Sequence, residues 1–270
     1  MSKWLFVGVP CLTCLSFLGV GARPRPISDS GRVAGDSFVF QTLGFDHAAA
    51  SGRSVEGREL LEQTCAKLRA ARWLRATIWQ RLHDAEHPYE STAALTLGPD
   101  HCARMETTLH AGAASCQHLL VSDGHAVAEV ERFAGAEKVA GGYLPGEQPG
   151  PARENYLRRH GCTGPLPLLV ELQAIVPQWQ VQTGAWRDRA VIRLEGAIAP
   201  ARGGGRAAGF CRVYLDADSR LPLRLEWFKH ADPRRAPLHL EMEYRDLELD
   251  RALTPQECAS AFTYVPGLEN

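Results

Sequence analysis

The sequence predicts an α+β protein built on one large antiparallel sheet, with one apolar face and one wet face. Three observations predict it. Short segments of period-two hydrophobicity, about nine or ten of them, follow one another with Gly, Pro, Asp and Ser turns between them. Helical periodicity is confined to two or three segments. Strands and helices do not alternate regularly, which excludes a doubly wound parallel sheet, and no repeat of ~20–50 residues points to a solenoid or propeller.

The chain has 270 residues, 45% of them hydrophobic, enough for a sizeable core. Its formal net charge is −1, from 30 basic and 31 acidic residues. That argues against a partner held by phosphate neutralisation, which needs a basic excess.

Taken in order, Lys3 precedes an apolar run from Trp4 to Val20, and Val20-Gly21-Ala22 supplies small residues before a cleavage point. This is the arrangement of an export signal, residues 1–22, with cleavage after Ala22 and a periplasmic or envelope destination. An uncleaved anchor, or lipidation at Cys11 or Cys14, are the alternative readings. Residues 23–53, rich in Pro, Gly, Ser and Ala, read as a linker or poorly ordered lead-in. The folded domain is then 54–270.

Ser54 to Ala71 predicts a helix, with Leu60, Leu61, Thr64, Cys65 and Leu68 on one face. The period then changes to two. Leu74, Ala76, Ile78 and Leu82 alternate with Arg75, Thr77 and Arg81. Ala93, Leu95 and Leu97 follow, then the turn Gly98-Pro99-Asp100, then Met105, Thr107 and Leu109. Leu119 and Val121 lead into the turn Ser122-Asp123-Gly124, and Val127 to Phe133 resumes as a strand. The Gly-Pro-rich stretch Gly141 to Pro151 breaks the sheet, and Arg153 to His160 reads as a short helix. Leu166 to Val176 is apolar nearly all round, a buried helix or strand. Strands return at Val181 to Trp186 and around Ile192 and Leu194. The triple glycine 203–205 sits in a loop. Next comes a hairpin from Tyr214 to Phe228, with Leu221, Leu223, Leu225 and Trp227 on one side. The last strand sets Leu238, Leu240, Met242 and Tyr244 against His239, Glu241, Glu243 and Arg245. A helical turn from Pro255 to Ala261 closes the chain.

No pattern calls for catalysis, a cofactor or a metal. There is no HExxH, no GxSxG, no phosphate-cradling glycine loop and no GxGxxG after a strand. His83 and His87 are four apart, but Pro88 ends the segment. Asp216 and Asp218 open like a calcium loop, yet Ser219-Arg220 removes its next ligand and its glycine. Carboxylates such as Glu241 and Glu243 alternate with apolar residues and read as solvated. Six cysteines lie beyond the leader, namely Cys65, Cys102, Cys116, Cys162, Cys211 and Cys258. An exported protein can pair them, or bury them as small apolar residues.

The wording of the hairpin, LDADSRLPLRLEWF, resembles the penultimate hairpin of the LolA-like lipoprotein-carrier superfamily. The stretch LHLEMEYRDLELDRALTPQECASAFTYVPG is similar to that family's last strand and closing segment. LLEQTCAKLRAARWLRATIWQRL, LLVSDGHAVAEVERF and TGPLPLLVEL resemble its first helix and strand, its Asp-Gly hairpin and its apolar helix, in the same order. The resemblance implies an unclosed antiparallel β-barrel with helices covering its concave apolar face. It also implies a cavity for acyl chains, no catalysis, and an arginine early in the sheet that holds the lid, Arg75 or Arg81 by region.

The expected function is a non-enzymatic carrier or sensor of lipid or lipoprotein acyl chains. An envelope protein would serve as donor or acceptor, with transient membrane contact. The expected cavity lining is Leu74, Ile78, Leu95, Leu97, Met105, Leu119, Ile192, Leu194, Leu223, Leu225, Leu240 and Met242. The expected lid carries Leu166, Leu168, Leu169, Leu172 and Ile175. The alternatives are an envelope interaction module with a filled core, and a hydrolase with a dispersed site marked by a displaced His or carboxyl pKa.

Overall fold

The computed structural model describes residues 47–84, 88–112, 114–133, 136–138, 157, 162–200, 208–234, 237–251 and 253–263. The export signal, the lead-in up to residue 46, the Gly141–Pro151 stretch and the triple glycine lie outside them, as does nearly all of the helix expected at 153–160.

Helix α1 (His47–Ala70) opens the described fold and begins inside the segment expected as a lead-in. Five strands follow as a meander: β1 (Leu74–Leu82), β2 (Tyr89–Leu97), β3 (Cys102–Ala111), β4 (Ala114–Asp123) and β5 (Val127–Phe133), with a short β6 (Ala136–Lys138) behind them. Helix α2 (Leu166–Ile175) precedes a second meander: β7 (Gln180–Trp186), β8 (Arg189–Ile198), β9 (Gly209–Asp216), β10 (Pro222–Phe228) and β11 (Leu238–Leu249). Helix α3 (Pro255–Phe262) comes last. Its Thr254 caps the Glu257 amide while Glu257 binds the Thr254 amide, a reciprocal capping box.

The eleven strands form one sheet in the order β6-β5-β4-β3-β2-β1-β11-β10-β9-β8-β7. Every pairing is antiparallel, and β1 pairs with β11 to join the two meanders in the middle. The edges β6 and β7 stand at opposite ends of the order, so the sheet is an unclosed barrel.

Alternation in the strands separates two faces. The inner face packs on the helices in one core cluster: Leu61, Cys65 and Leu68 of α1, Leu168, Leu169, Leu172 and Ile175 of α2, and Leu95, Met105, Leu120, Leu194, Val213, Leu225 and Met242 of the sheet. Trp73 stacks on Phe262, 6.1 Å between ring centroids, and holds α3 beside the start of β1.

The β9–β10 turn is the docking post for α1. Asp216 Oδ1 accepts from the amides of Asp218 and Ser219 and from the Ser219 hydroxyl, a side-chain turn rather than a calcium loop. Lys67 Nζ donates to Ser219 O at 2.7 Å, and the buried Thr64 hydroxyl donates to Arg220 O at 2.9 Å. Burial pushes the Asp216 carboxyl up, but the hydrogen bonds from Ser219 and Asp218 outweigh it and hold it below the usual range. A depressed carboxyl stabilises the fold above the unfolded value of about 4, and that stabilisation is lost as pH falls through the folded value. Thermal melts of wild type and Asp216→Ala should therefore differ most near neutral pH. The difference should shrink on acidification below about pH 4.

Two glycines let the α2–β7 connection lie close to its neighbours. A Cβ at Gly57 would meet Trp179 Cβ at 2.6 Å, and one at Gly196 would meet Gln178 O and Val176 Cγ1, each at 2.5 Å. The obstacle at Gly196 includes backbone, so it cannot swing away. Gly196→Ala should lower stability by about 1–3 kcal/mol in a urea melt. An unchanged midpoint would mean that the connection is loose.

Candidate binding site

The candidate site is the inner face of the sheet together with what crosses it. Cys162 lies against Met105 on β3, Sγ to Sδ 3.7 Å. Gly164, at φ +63°, brings the chain over the side chains of Leu74 and Leu97. α2 then packs along α1, with Val170, at 38%, the one exposed residue among its large apolar side chains. Its C-terminus is pinned to the far side of the sheet, where the Ala199 amide donates to Ile175 O at 2.9 Å. Trp179, 1% exposed, closes this end beside Gly57.

Most of the expected lining lies on this face. Leu74, Leu95, Met105, Ile192, Leu194, Leu225 and Met242 are buried in the inner cluster, and Ile78 and Leu97 pack against it from half-buried positions. Of the expected lid, Leu168, Leu169, Leu172 and Ile175 are buried in the same cluster and Leu166 packs at its margin.

Two lining residues are elsewhere, and a third lies at the margin of this face. Leu119 belongs to a separate cluster with Val121 and Val130, because the β3–β4 register sets Leu120, not Leu119, opposite Met105. Leu223 packs with Trp186, Val191 and Tyr214, because the β9–β10 register shifts between Pro222 and Arg224. Leu240 keeps the inward parity of Met242 and pairs with Leu82 and Trp227, but it is half-buried and lies outside the inner cluster. Arg75 and Arg81 alternate with the inward Leu74, Ala76 and Ile78, so both stand on the outer face. Arg81 pairs there with Glu90 at 3.7 Å, and neither serves as a lid clasp.

The outer face is not simply wet. Glu195, Glu226, Glu241 and Glu243 are all buried, Glu243 to 2% exposure. Arg224 reaches three of these carboxylates: Glu241 at 2.8 Å, Glu226 at 2.9 Å and Glu243 at 3.2 Å. Arg187 grips Glu243 with two nitrogens at 3.1 Å, and Arg245 joins at 2.9 Å. Arg212 bridges Glu195 and Glu226, and the Tyr214 hydroxyl donates to Glu226 at 3.2 Å. Arg stems and guanidinium planes over Trp186, Trp79, Phe210 and Phe228 cover the carboxylates. The expectation that Glu241 and Glu243 are solvated is thus corrected. The sequence signal for the ladder was available, since Arg212, Arg224 and Arg245 alternate on strands that pair with the Glu-bearing ones.

The displaced carboxyl pKa values lie at turns and a cap. Burial pushes Asp123 up, but the Ala126 and His125 amides hold it low, and the Thr254 amide lowers Glu257. The six cysteines beyond the leader form no disulfide with one another. Burial pushes the thiols of Cys65, Cys162 and Cys211 up. Among the described residues, no helix is long and apolar enough to cross a membrane.

No protein-family model matches the chain, and no curated protein matches it. Solved structures do resemble it. LprF from Mycobacterium bovis is 12% identical with a TM-score of 0.48, over 75% of this chain and 96% of that one. The lipoprotein LppX of Mycobacterium tuberculosis is 11% identical with a TM-score of 0.44, over 74% and 98%. A LolA superfamily protein from Nitrosomonas europaea is 11% identical with a TM-score of 0.27, over 77% and 97%. At these identities and scores the likeness is one of shape, and what the chain binds has to be read from its own residues.

Proposed function

We propose that the chain is an exported, non-enzymatic binding protein that holds acyl chains of a lipid or lipoprotein against the inner face of its open sheet, as carrier or sensor. One observation carries this reading. The apolar inner face of an eleven-stranded unclosed sheet is covered by two separate helices and a crossing segment rather than by a second sheet. The face of α2 that meets the sheet is formed by Leu168, Leu169, Leu172 and Ile175, so it can pack equally on an acyl chain or on the sheet. Burying about ten methylenes gains about 8 kcal/mol at ~0.8 kcal/mol each. That is the free energy of a micromolar complex before ordering losses. The residues that would line the chain's path are Leu95, Met105, Leu225 and Met242 under Leu169 and Leu172.

A second reading is an interaction module with a filled core. It is favoured by the near-complete burial of Leu61, Leu120, Leu172, Leu194 and Leu215. An environment-sensitive fatty-acid analogue separates the two. The carrier reading expects saturable fluorescence that oleate displaces, and that Met242→Trp, which fills the inner face, weakens. A signal that stays at background with folded protein contradicts it.

A further inference from the structure

The inner face changes character at the end built by β3, β4 and β5. His118 on β4 stands directly across from Thr107 on β3 and from Glu131 on β5. Glu129 is the next residue of β5 on the same face. His118 is 3% exposed and Glu131 6%, with Glu129 half-buried. His118 Nε2 lies 2.6 Å from Glu129 Oε1. One nitrogen or oxygen from each of the three side chains lies within 4.8 Å of the others. Among the described residues this is the one such convergence of His, Cys, Asp and Glu.

A second, independent feature points into the same place. Thr107 is 3% exposed, and its Oγ1 has no hydrogen-bond partner among the described residues. A buried hydroxyl ordinarily finds a partner, because leaving it unmatched is unfavourable. A water bound beside His118 would supply one.

We propose that His118, Glu129 and Glu131 hold one first-row divalent cation, with the Thr107 hydroxyl bonded to the water that completes its coordination. One imidazole nitrogen and two carboxylate oxygens form a donor set that suits zinc and its neighbours rather than calcium, which takes oxygen alone. Bonds of about 2.0–2.2 Å place such donors roughly 3.3–3.6 Å apart, within a small rotamer change of the observed spread. A dication offsets both carboxylate charges on adjacent inner positions of one strand. The three ligands come from two strands joined by the tight Asp123-Gly124 turn, so the hairpin register sets the site. Lys138 occupies the register position opposite Glu131 on the edge strand, and an ion pair there in place of a metal is one outcome of the test. The site is independent of acyl binding, since it lies on polar positions that the apolar path does not use.

The test uses the full chain, stripped with chelator and then dialysed against zinc. The expected result is one equivalent of zinc per chain, a higher melting temperature with zinc than without, and a visible ligand-field spectrum when cobalt(II) replaces it. His118→Ala and Glu129→Gln should each lose the equivalent, and Thr107→Val should bind roughly tenfold more weakly. His110→Ala, at an exposed histidine, should bind like wild type. Should His118→Ala fail to fold, Glu129→Gln at its half-buried position still decides. Substoichiometric zinc, or an equivalent that survives Glu129→Gln, overturns the proposal and leaves an ion-paired cluster. Loss of fatty-acid binding with zinc uptake intact would count against the acyl reading alone.

Discussion

Replacing Arg224 with leucine is expected to destabilise the fold by about 3 kcal/mol, although the residue sits on the face away from the candidate site. Its side chain is 15% exposed and lies within 3.2 Å of three carboxylates that are themselves nearly sealed from water. Removing the cation leaves Glu226, Glu241 and Glu243 close together without their shared partner. Glu241 keeps His83 at 2.9 Å, Glu226 keeps Arg212, and Glu243 keeps Arg187 and Arg245. Those contacts hold the loss below the upper end of what an orphaned buried charge costs. The ladder crosses four adjacent strands, β8 to β11, so its loss should loosen the second meander as a unit. Denaturant melts of Arg224→Leu, Glu241→Gln and the double variant would measure this. A coupling of more than about 1 kcal/mol between the two sites is expected. Additive effects, or a single-variant loss within about 0.5 kcal/mol, would mean that the ladder is a surface decoration.

Leu172→Ala is the second large effect. Leu172 is 0% exposed and sits where α2 meets the inner cluster. Truncation of such a residue removes its transfer free energy and leaves a cavity, together about 2–5 kcal/mol. The consequence differs between the two functional readings. If an acyl chain occupies this layer, the delipidated variant should recover part of its lost stability when a long-chain fatty acid is added, because ligand binding to the folded state stabilises it by mass action. If the core is filled by protein alone, the loss should be the same with and without fatty acid. Calorimetry on delipidated wild type and variant, each with and without oleate, reads both.

The strands were legible because a half-buried antiparallel strand writes its faces into period two. Leu95 and Leu97, Met105 and Leu109, and Ile192 and Leu194 all fell on the face that alternation assigned them. What failed was parity where the pattern is degenerate. Leu119, Leu120 and Val121 are three apolar residues in a row, and only the pairing of β4 with β3 reveals that Leu120 faces inward. Leu223 fits the alternation of its own strand, yet the register shift at the start of β10 turns it outward. Such a shift depends on the neighbouring strand and leaves no mark in the segment itself. The buried glutamates failed for a related reason. Glu and Arg at alternate positions look like a solvated surface, and become a sealed ladder only when four such strands are laid side by side. His118, Glu129 and Glu131 were invisible as a group, because their proximity arises from hairpin register rather than from spacing along the chain.

If the inner face holds acyl chains, the protein should carry them when it is isolated. The full chain should be isolated from its own cells without detergent exchange and extracted with organic solvent, and the extract analysed by mass spectrometry against a folded control, Met242→Trp. Acyl lipid approaching one equivalent per chain is expected in the wild type and much less in the control. Wild-type protein that is folded, free of acyl lipid and unable to take up added fatty acid would contradict it.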